Sequence, residues 1–263
     1  MKTDTYTITV LTAVFLLLSL SCGQERIPGQ STEIDRKVDS ILALMTLEEK
    51  IGQMTAFTSG WDVTGPVLRD SYRQDIVDGK CGNLFNAHTV AYNRELQRLA
   101  VEGSRLGIPL LFGYDVIHGH RTIFPIPLAE ACSWSPELAE RSAALAAREA
   151  AASGLNWTFN PMVDIARDPR WGRIAEGAGE DTYLGELFAA ARVRGYQGND
   201  LSDPFTLAAC VKHIAAYGAP QAGRDYHVAD LSERTLREIY LPPFKAAVNA
   251  GVASAMTSFN EIN

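Results

Sequence analysis

The sequence lacks the features that mark several large classes of protein. Acidic residues outnumber basic ones among its 263 residues, giving a formal net charge of −7. No run of Lys and Arg builds the basic stripe that phosphate binding needs, so a nucleic-acid partner is excluded. No internal repeat has a solenoid period, and no G-x-G-x-x-G motif follows the first predicted strand, which disfavours a dinucleotide-binding fold. The 46 % of apolar residues are enough for one large domain with a core.

Cysteine is scarce, and the spacing of the cysteines matches neither a disulfide pattern nor a metal-binding motif. Of four cysteines, Cys22 follows an apolar N-terminal run, which leaves Cys81, Cys132 and Cys210. An odd number without a C-x-x-C pair gives neither a disulfide framework nor zinc-ligand spacing. The apolar or small neighbours of the three predict buried side chains. No cluster of His, Asp and Glu has the spacing of metal ligands, so we expect no metal and no other cofactor.

The N-terminus has the pattern of an export signal. The apolar run Ile8–Leu20 is too short for a membrane-spanning helix and is typical of a signal peptide over residues 1–21. Cys22 in Ser-Leu-Ser-Cys-Gly resembles a lipobox cysteine, which predicts lipidation at Cys22; plain cleavage before Cys22 is the alternative. Residues 22–33 are polar and predict a tether. We therefore expect an exported, periplasmic or outer-membrane-anchored protein that meets a membrane only through this anchor.

From residue 34 onward, short apolar runs alternate with helical patterns. Buried strands are predicted at 82–85, 109–114, 157–163, 207–214 and 253–259, and helices near 90–106, 136–153, 184–196 and 233–249. A capping box, Thr46-Leu-Glu-Glu49, divides the first helical stretch into two helices. Alternation of this kind predicts parallel strands in an α/β fold, and polar loops after successive strands favour a (β/α)8 barrel of the TIM type. About five βα units are present, so residues 34–263 are predicted to be the N-terminal part of a truncated barrel domain.

Polar and charged residues follow the predicted strands where a barrel places its site. Asp115 comes directly after one strand, and a carboxylate there can accept two sugar hydroxyls or simply cap the next helix. The run Asp164–Glu176, with three arginines and three acids, is consistent with a salt-bridged surface loop or a site, with Trp171 as a flat platform. Lys212 and His213 end an apolar strand, where a lysine is costly unless it is paired or used.

Two histidine-containing segments leave their roles open. His118 and His120 have no further ligand at a suitable spacing, which favours loop structure. Asp225 and His227 are consistent with a general acid/base pair, and loop hydrogen bonding explains them equally well.

Five segments in order resemble glycoside hydrolase family 3, specifically its periplasmic β-glucosidase branch. They are Asp115 after a strand, Arg167-Asp-Pro-Arg-Trp-Gly-Arg173, Lys212-His-Ile-Ala-Ala-Tyr-Gly218, Gly223-Arg-Asp-Tyr226 and Met256-Thr-Ser-Phe-Asn260. The resemblance covers nearly all of residues 34–263. It implies an exo-acting retaining β-glucosidase that hydrolyses terminal β-D-glucosyl residues of β-linked gluco-oligosaccharides.

The resemblance also implies roles for individual residues. Asp115 is expected to hold the far hydroxyls of the first sugar, and Lys212 and His213 to donate to neighbouring hydroxyls. Arginines are expected to line the same subsite and two side chains to form its apolar wall: Arg121, Arg173, Met256 and Phe259. Phe259 departs from the tyrosine that many relatives carry there. Independently of the resemblance, Arg121 lies six residues after Asp115 and is predicted to be able to neutralise it.

The resemblance places the reacting groups elsewhere. The Ser-Asp-Trp-like segment that carries the family's nucleophile does not occur here, so the nucleophile is expected beyond Asn263 and the 263-residue chain is expected to be inactive alone. The remaining readings are a β-xylosidase, a β-N-acetylglucosaminidase and a non-catalytic sugar-binding fragment. Ala215-Ala-Tyr-Gly218 replaces the Pro-Gly-His-Gly signature of the N-acetylglucosaminidase branch, which favours a glucosidase.

Overall fold

The computed structural model describes residues 32–62, 65–67 and 69–263. The predicted signal peptide (1–21), the lipidation site Cys22 and most of the predicted tether lie outside these residues. The chain divides into two compact units, one ending at Met45 and the other spanning Thr46–Asn263, whereas the sequence predicts a single domain from residue 34.

The first unit contains one described helix, α1 (Glu33–Leu44). A capping box starts it, because the Thr32 side chain accepts the backbone N–H of Asp35 at 3.0 Å and the Asp35 carboxylate accepts the backbone N–H of Thr32 at 2.8 Å. The helix therefore begins inside the predicted 22–33 tether, one residue before the predicted start of the domain.

The second unit is an alternation of strands and helices. Its strands are β1 (Ala56–Thr58), β2 (Gly60–Asp62), β3 (Gly65–Val67), β4 (Asn83–Phe85), β5 (Leu111–Tyr114), β6 (Trp157–Thr158), β7 (Cys210–Ile214) and β8 (Ser254–Thr257). Its helices are α2 (Leu47–Gln53), α3 (Asp70–Val77), α4 (Val90–Arg98), α5 (Pro127–Ala131), α6 (Pro136–Ala152), α7 (Thr182–Gln197), α8 (Glu233–Thr235) and α9 (Pro242–Asn249). π-Helical segments extend α4 through Leu99–Gly103 and α8 through Leu236–Tyr240. The predicted capping box is confirmed, since Thr46 and Glu49 cap α2.

Six of the strands lie side by side and parallel. Strands β1, β4, β5 and β6 form one ladder in that order, and β7 pairs with β8. Parallel bridges from Trp157 to Ala208 and from Met162 to Lys212 join the two groups. Strands β2 and β3 form a separate antiparallel hairpin. The row of parallel strands connected by helices confirms the predicted α/β fold and is consistent with part of a TIM-type barrel.

All five predicted strands form, and a sixth parallel strand, β1, was not predicted. The core fills the space between the strands and the outer helices. Helix α6 turns a face of small residues inward, with Ala139, Ala143, Ala146, Ala147 and Ala150 all buried. Helix α7 lies so close to it that a Cβ added at Gly195 would meet the carbonyl oxygen of Glu140 at 2.4 Å. Cys81 and Cys210 are buried as predicted; Cys132 is exposed, because it lies just past the end of the short helix α5, so the prediction was wrong there.

Candidate functional site

The carboxyl ends of strands β5 to β8 carry a cluster of charged and aromatic side chains. Asp115 follows β5, Asp164 comes shortly after β6, and Lys212 and His213 lie within β7. Met256 on β8 is the register partner of Lys212. Because parallel strands end at the same edge of a sheet, residues far apart in sequence meet at this edge.

Lys212 is a buried cation paired with Asp115. Its Nζ lies 2.6 Å from Asp115 Oδ1, and its side chain is 4 % exposed against 36 % for that of Asp115. The carboxylate therefore neutralises the lysine on one side and faces solvent on the other, where it can accept hydroxyl donors.

Arg121 does not take the predicted role of neutralising Asp115. It is exposed, its backbone N–H donates to Glu149 Oε2 at 2.8 Å, and within the described residues its guanidinium has no ion pair. The physical reason is the loop conformation: Glu149 also accepts the backbone N–H and the hydroxyl of Thr122, which holds this loop against α6. Lys212 is the cation that neutralises Asp115.

His213 is oriented by Asp164, the first residue of the candidate run Asp164–Glu176, to which the sequence assigned no individual role. The Asp164 side chain is fully buried, and its Oδ2 accepts both His213 Nδ1 at 2.8 Å and the His213 backbone N–H at 3.1 Å. Arg173 Nη1 lies 3.4 Å from His213 Nε2. A guanidinium can only donate, so this contact requires Nε2 to accept and places the imidazole proton on Nδ1.

Burial sets the electrostatics of the carboxylate behind this histidine. It raises the pKa of Asp164 above its ordinary value, and the hydrogen bonds from His213 and the charge of Arg173 act in the opposite direction. Its second oxygen, Oδ1, has no hydrogen-bond partner within the described part of the chain.

Arg173 is held in place by a bidentate ion pair. Its Nε and Nη2 lie 2.6 and 2.7 Å from the two carboxylate oxygens of Glu176, and its Cζ stands 5.5 Å from the centre of the Tyr217 ring. Burial acts to raise the pKa of Glu176, but the hydrogen bonds and charge of Arg173 outweigh it, so the pKa lies below its usual value. The hydrogen bonds to Glu176 raise the pKa of Arg173. The site therefore contains two cations, Lys212 and Arg173, each paired with a carboxylate, and a histidine that a third carboxylate orients.

Aromatic rings line one side of this cluster. Phe259 lies 5.5 Å from both the His213 and the Tyr217 rings, and Tyr226 lies 5.7 Å from Phe259. Tyr217 is completely buried, and burial raises the pKa of its hydroxyl.

Trp171 is not the surface platform that the sequence suggested. It is 1 % exposed and packs with Met162 and Tyr217, while its Nε1 donates to Asp225 Oδ1 at 2.9 Å. The neighbouring pair Asp168–Arg170 is the surface ion pair of this loop, and its hydrogen bonds lower the pKa of Asp168 to about 2.

The structure brings together most, though not all, of the predicted site residues. Those that meet in the cluster are Asp115, Arg173, Lys212, His213, Met256 and Phe259. His118 and His120 hydrogen-bond to Phe124 O and Ser153 Oγ, which agrees with loop structure. Asp225 is a partner of Trp171 and His227 is exposed, so loop hydrogen bonding accounts for that pair.

Three residues of the cluster were given no individual role by sequence: Asp164, Glu176 and Tyr217. The first two are the ends of the candidate run Asp164–Glu176. Asp164 directly follows the predicted strand 157–163, which is the same signal that identified Asp115. Glu176 lies three residues after Arg173, a spacing that brings two side chains together on one helical turn. Tyr217 lies in the segment Lys212–Gly218 that resembles the family, but the burial of a loop aromatic cannot be inferred from its neighbours.

Two structural absences hold for the described part of the chain. No group of three or more His, Cys, Asp and Glu side chains is arranged to hold a metal ion there. No helix within those residues combines the length and the apolar character needed to cross a membrane.

Fold and site together define an α/β barrel protein whose charged cluster lies at the carboxyl ends of its strands. Residues 46–263 match the sequence profile described as Glycosyl hydrolase family 3 N terminal domain. The chain belongs to glycosyl hydrolase family 3.

Three relatives illustrate the similarity. A periplasmic beta-glucosidase from Salmonella typhimurium is 42 % identical over 229 residues, which are 87 % of this chain and 29 % of the relative. A putative beta-xylosidase from Formosa agariphila is 34 % identical over 251 residues, covering 89 % of this chain and 33 % of the relative. A mutant beta-glucosidase from Listeria innocua, solved in complex with laminaribiose, matches with a TM-score of 0.79 and 39 % identity over 86 % of this chain and 33 % of its own. The chain thus spans about a third of the length of these relatives.

Proposed function

We propose that this chain forms the first-sugar subsite of an exo-acting, retaining β-glucosidase. The observation that carries the proposal is the buried Lys212 paired with the partly exposed Asp115 at the end of the parallel strands. The pair presents a carboxylate that accepts hydroxyls beside cations that donate to them. A sugar, which offers several donors and acceptors on one small ring, is the ligand that such an arrangement suits.

The proposed role of each residue follows from its contacts. Asp115 accepts hydroxyls of the terminal glucosyl unit at the end of the subsite far from the scissile bond. Lys212 and Arg173 donate to the adjacent hydroxyls. His213 is fixed by Asp164 and accepts from Arg173 through Nε2, so it orients Arg173 and does not donate to a hydroxyl as the sequence predicts. Met256 and Phe259 supply the apolar wall. We give Arg121 no part in the subsite.

The reacting carboxylates are proposed to be other groups. A retaining glycosidase needs a nucleophile and an acid/base, about 5 Å apart across the scissile bond. Each acid of the cluster is already bound to a side chain that donates to it: Asp115 to Lys212, Asp164 to His213 and Glu176 to Arg173. These partnerships suit binding and positioning rather than attack on the anomeric carbon.

A β-xylosidase is the second candidate, because a relative with that name is 34 % identical over most of the chain. Xylose lacks the hydroxymethyl group of glucose, so the choice depends on whether the space beside Asp115 favours that group. For localisation, the relative named periplasmic supports export, and we propose a lipoprotein anchored through Cys22.

The test is hydrolysis of aryl β-glucosides and aryl β-xylosides by the complete gene product, with the configuration of the released sugar followed by NMR. We expect release of the β-anomer and a higher kcat/KM for the glucoside. A preference for the xyloside would favour the second candidate, and release of the α-anomer would contradict the retaining mechanism. The 263-residue chain alone is expected to show no turnover; measurable turnover would overturn our assignment of the reacting carboxylates.

A further inference from the structure

Two exposed aromatic rings meet at the edge of the proposed subsite. Tyr226, in the loop after β7, is 65 % exposed, and Phe259, in the segment after β8, is 56 % exposed. Their ring centres lie 5.7 Å apart at an interplanar angle of 68°. Among the described residues this is the one pair of touching rings in which both members are more than half exposed. An exposed apolar surface of this kind beside a polar site indicates a binding surface.

The backbone that carries Tyr226 is held in an unusual conformation. Its φ is +63°, in the left-handed region, which is unfavourable for a residue with a side chain and is found often at functional sites. Asp225 anchors the loop by accepting Trp171 Nε1 at 2.9 Å. Gly223 packs against Arg170 and Trp171 so closely that a Cβ there would lie 2.8 Å from Arg170 Cβ.

The two rings also share a backbone connection. Residues 229–231, which end the Tyr226 loop, pair with residues 261–263, which follow Phe259. Ala229 N–H donates to Glu261 O at 2.9 Å, Asn263 N–H to Ala229 O at 3.1 Å, and Leu231 N–H to Asn263 O at 3.3 Å. The relative position of the rings is therefore fixed by main-chain hydrogen bonds and does not depend on the rings alone.

The order of contacts across the site shows at which end of the site the aromatic pair lies. Asp115 lies at one end and contacts Lys212; His213 is the next residue on β7, Phe259 packs on His213, and Tyr226 packs on Phe259. If Asp115 holds the far hydroxyls of the terminal sugar, the opposite end of this series faces the bond to be cleaved. The aromatic pair then lies where the rest of the oligosaccharide continues.

We propose that Tyr226, supported edge-on by Phe259, binds the second sugar unit on the leaving-group side of the scissile bond. This inference rests on the proposed function. The apolar C–H face of a pyranose ring lies on the exposed face of Tyr226, which removes apolar surface of both from water. This surface favours substrates with a carbohydrate leaving group over substrates with a small one. The ring face of Tyr226 contributes more to binding of the second sugar than its phenol hydroxyl does.

The test compares two substrates in the complete gene product. Laminaribiose has a second sugar, whereas β-glucosyl fluoride has the same glucosyl unit and a leaving group too small to reach Tyr226. In Tyr226→Ala we expect the ratio of the two kcat/KM values, laminaribiose over fluoride, to fall about tenfold. Tyr226→Phe keeps the ring face and should retain the wild-type ratio within about twofold.

Phe205→Ala is the matched control. Phe205 is also an exposed aromatic, at 52 %, but it precedes β7 and so lies at the opposite end of the strands. The Phe205→Ala variant should leave the kcat/KM values for laminaribiose and for β-glucosyl fluoride unchanged. An unchanged ratio in Tyr226→Ala would overturn the inference, and so would a Tyr226→Phe variant that behaves like Tyr226→Ala. If the wild type hydrolyses neither substrate, the proposed function fails first and this inference fails with it.

Discussion

Lys212 shows how a single buried charge organises the site. A lysine at 4 % exposure is costly to desolvate, and Asp115 offsets that cost with a contact of 2.6 Å. The two partners differ in burial, however, because Asp115 retains solvent on one side. Removing one member therefore has a different consequence from removing the other.

We expect this asymmetry to be measurable in thermal unfolding of the complete gene product. Asp115→Asn leaves a buried ammonium without its counter-charge and should lower the free energy of unfolding by about 3 kcal/mol. Lys212→Met fills a similar volume without charge and leaves a carboxylate that water can reach. It should therefore change the free energy of unfolding by less than about 1 kcal/mol. Both variants should raise KM for an aryl β-glucoside.

Arg170→Met serves as the control, because it breaks the exposed ion pair with Asp168 in a nearby loop. Arg170→Met should change neither the free energy of unfolding nor KM by a measurable amount, since exposed ion pairs contribute little to stability. Equal destabilisation by Asp115→Asn and Lys212→Met would contradict the argument from burial.

At the residue scale, the sequence predicts site residues correctly where the position of a residue at the end of a strand decides whether it lies in the site. Asp115, Lys212 and His213 were found because they end apolar runs, and parallel strands bring such ends together. The prediction failed for Trp171 and Arg121, because the direction of a loop side chain depends on contacts made by distant residues. Trp171 turns inward to Asp225 and Tyr217, and Arg121 lies in a loop that Glu149 holds by its backbone.

At the scale of elements, helix α7 positions the loop that carries Asp115. The Tyr196 hydroxyl donates to Val116 O at 2.6 Å, and Arg192 Nη1 donates to Ile117 O at 3.2 Å. Arg192 is in turn held by a buried ion pair with Glu130. The residues directly after Asp115 thus have their carbonyl groups fixed by side chains of a helix that follows β6.

Tyr196→Phe removes one of these hydrogen bonds and little else. It leaves Val116 O unsatisfied in the interior, which should reduce the free energy of unfolding by about 1–2 kcal/mol. Because the bond lies one residue from Asp115, KM for an aryl β-glucoside should also rise. In a double-mutant cycle with Asp115→Asn the two effects on KM should be non-additive, and additivity would show a purely structural role.

A control for this cycle lies two residues away on the same helix. Arg194 forms an exposed ion pair with Glu140 at 2.8 Å, so Arg194→Met should shift stability by less than about 1 kcal/mol and leave KM unchanged.

The elements themselves were largely readable from the sequence. The strands β4 to β8 and the helices α4, α6 and α7 have strong apolar runs or helical periodicity over many residues. Strand β1 was missed because three residues between a helix and a glycine carry too little pattern. Helix α5 was missed for the same reason, since a five-residue helix that begins with a proline has no periodicity to detect.

At the scale of the whole molecule, the six parallel strands form a row with two outer edges. Within the described residues β1 pairs only with β4 and β8 only with β7, so each offers one side without a ladder partner. A closed barrel has no such edges, and an open one is a template for association with other chains.

We therefore expect a polypeptide of these 263 residues, expressed alone, to unfold over a broad temperature range and to associate. Circular dichroism and sedimentation velocity measure the two properties. Ala255→Lys places a charge on an exposed position of β8 and should reduce association, because a charged edge disfavours strand pairing. Sharp, cooperative unfolding of the 263-residue polypeptide as a monomer would contradict this expectation.

The pairing of residues 229–231 with residues 261–263 also sets an order of events during synthesis. The loop that carries Tyr226 is made before the segment that carries Phe259, and its last residues find their hydrogen-bond partners only when that segment has left the ribosome. The Lys212–Asp115 pair, by contrast, has both members in place more than forty residues earlier. On the growing chain, the charged pair that holds the terminal sugar is therefore synthesised first. The apolar wall of the same subsite, Met256 and Phe259, and the surface for the remainder of the oligosaccharide follow together.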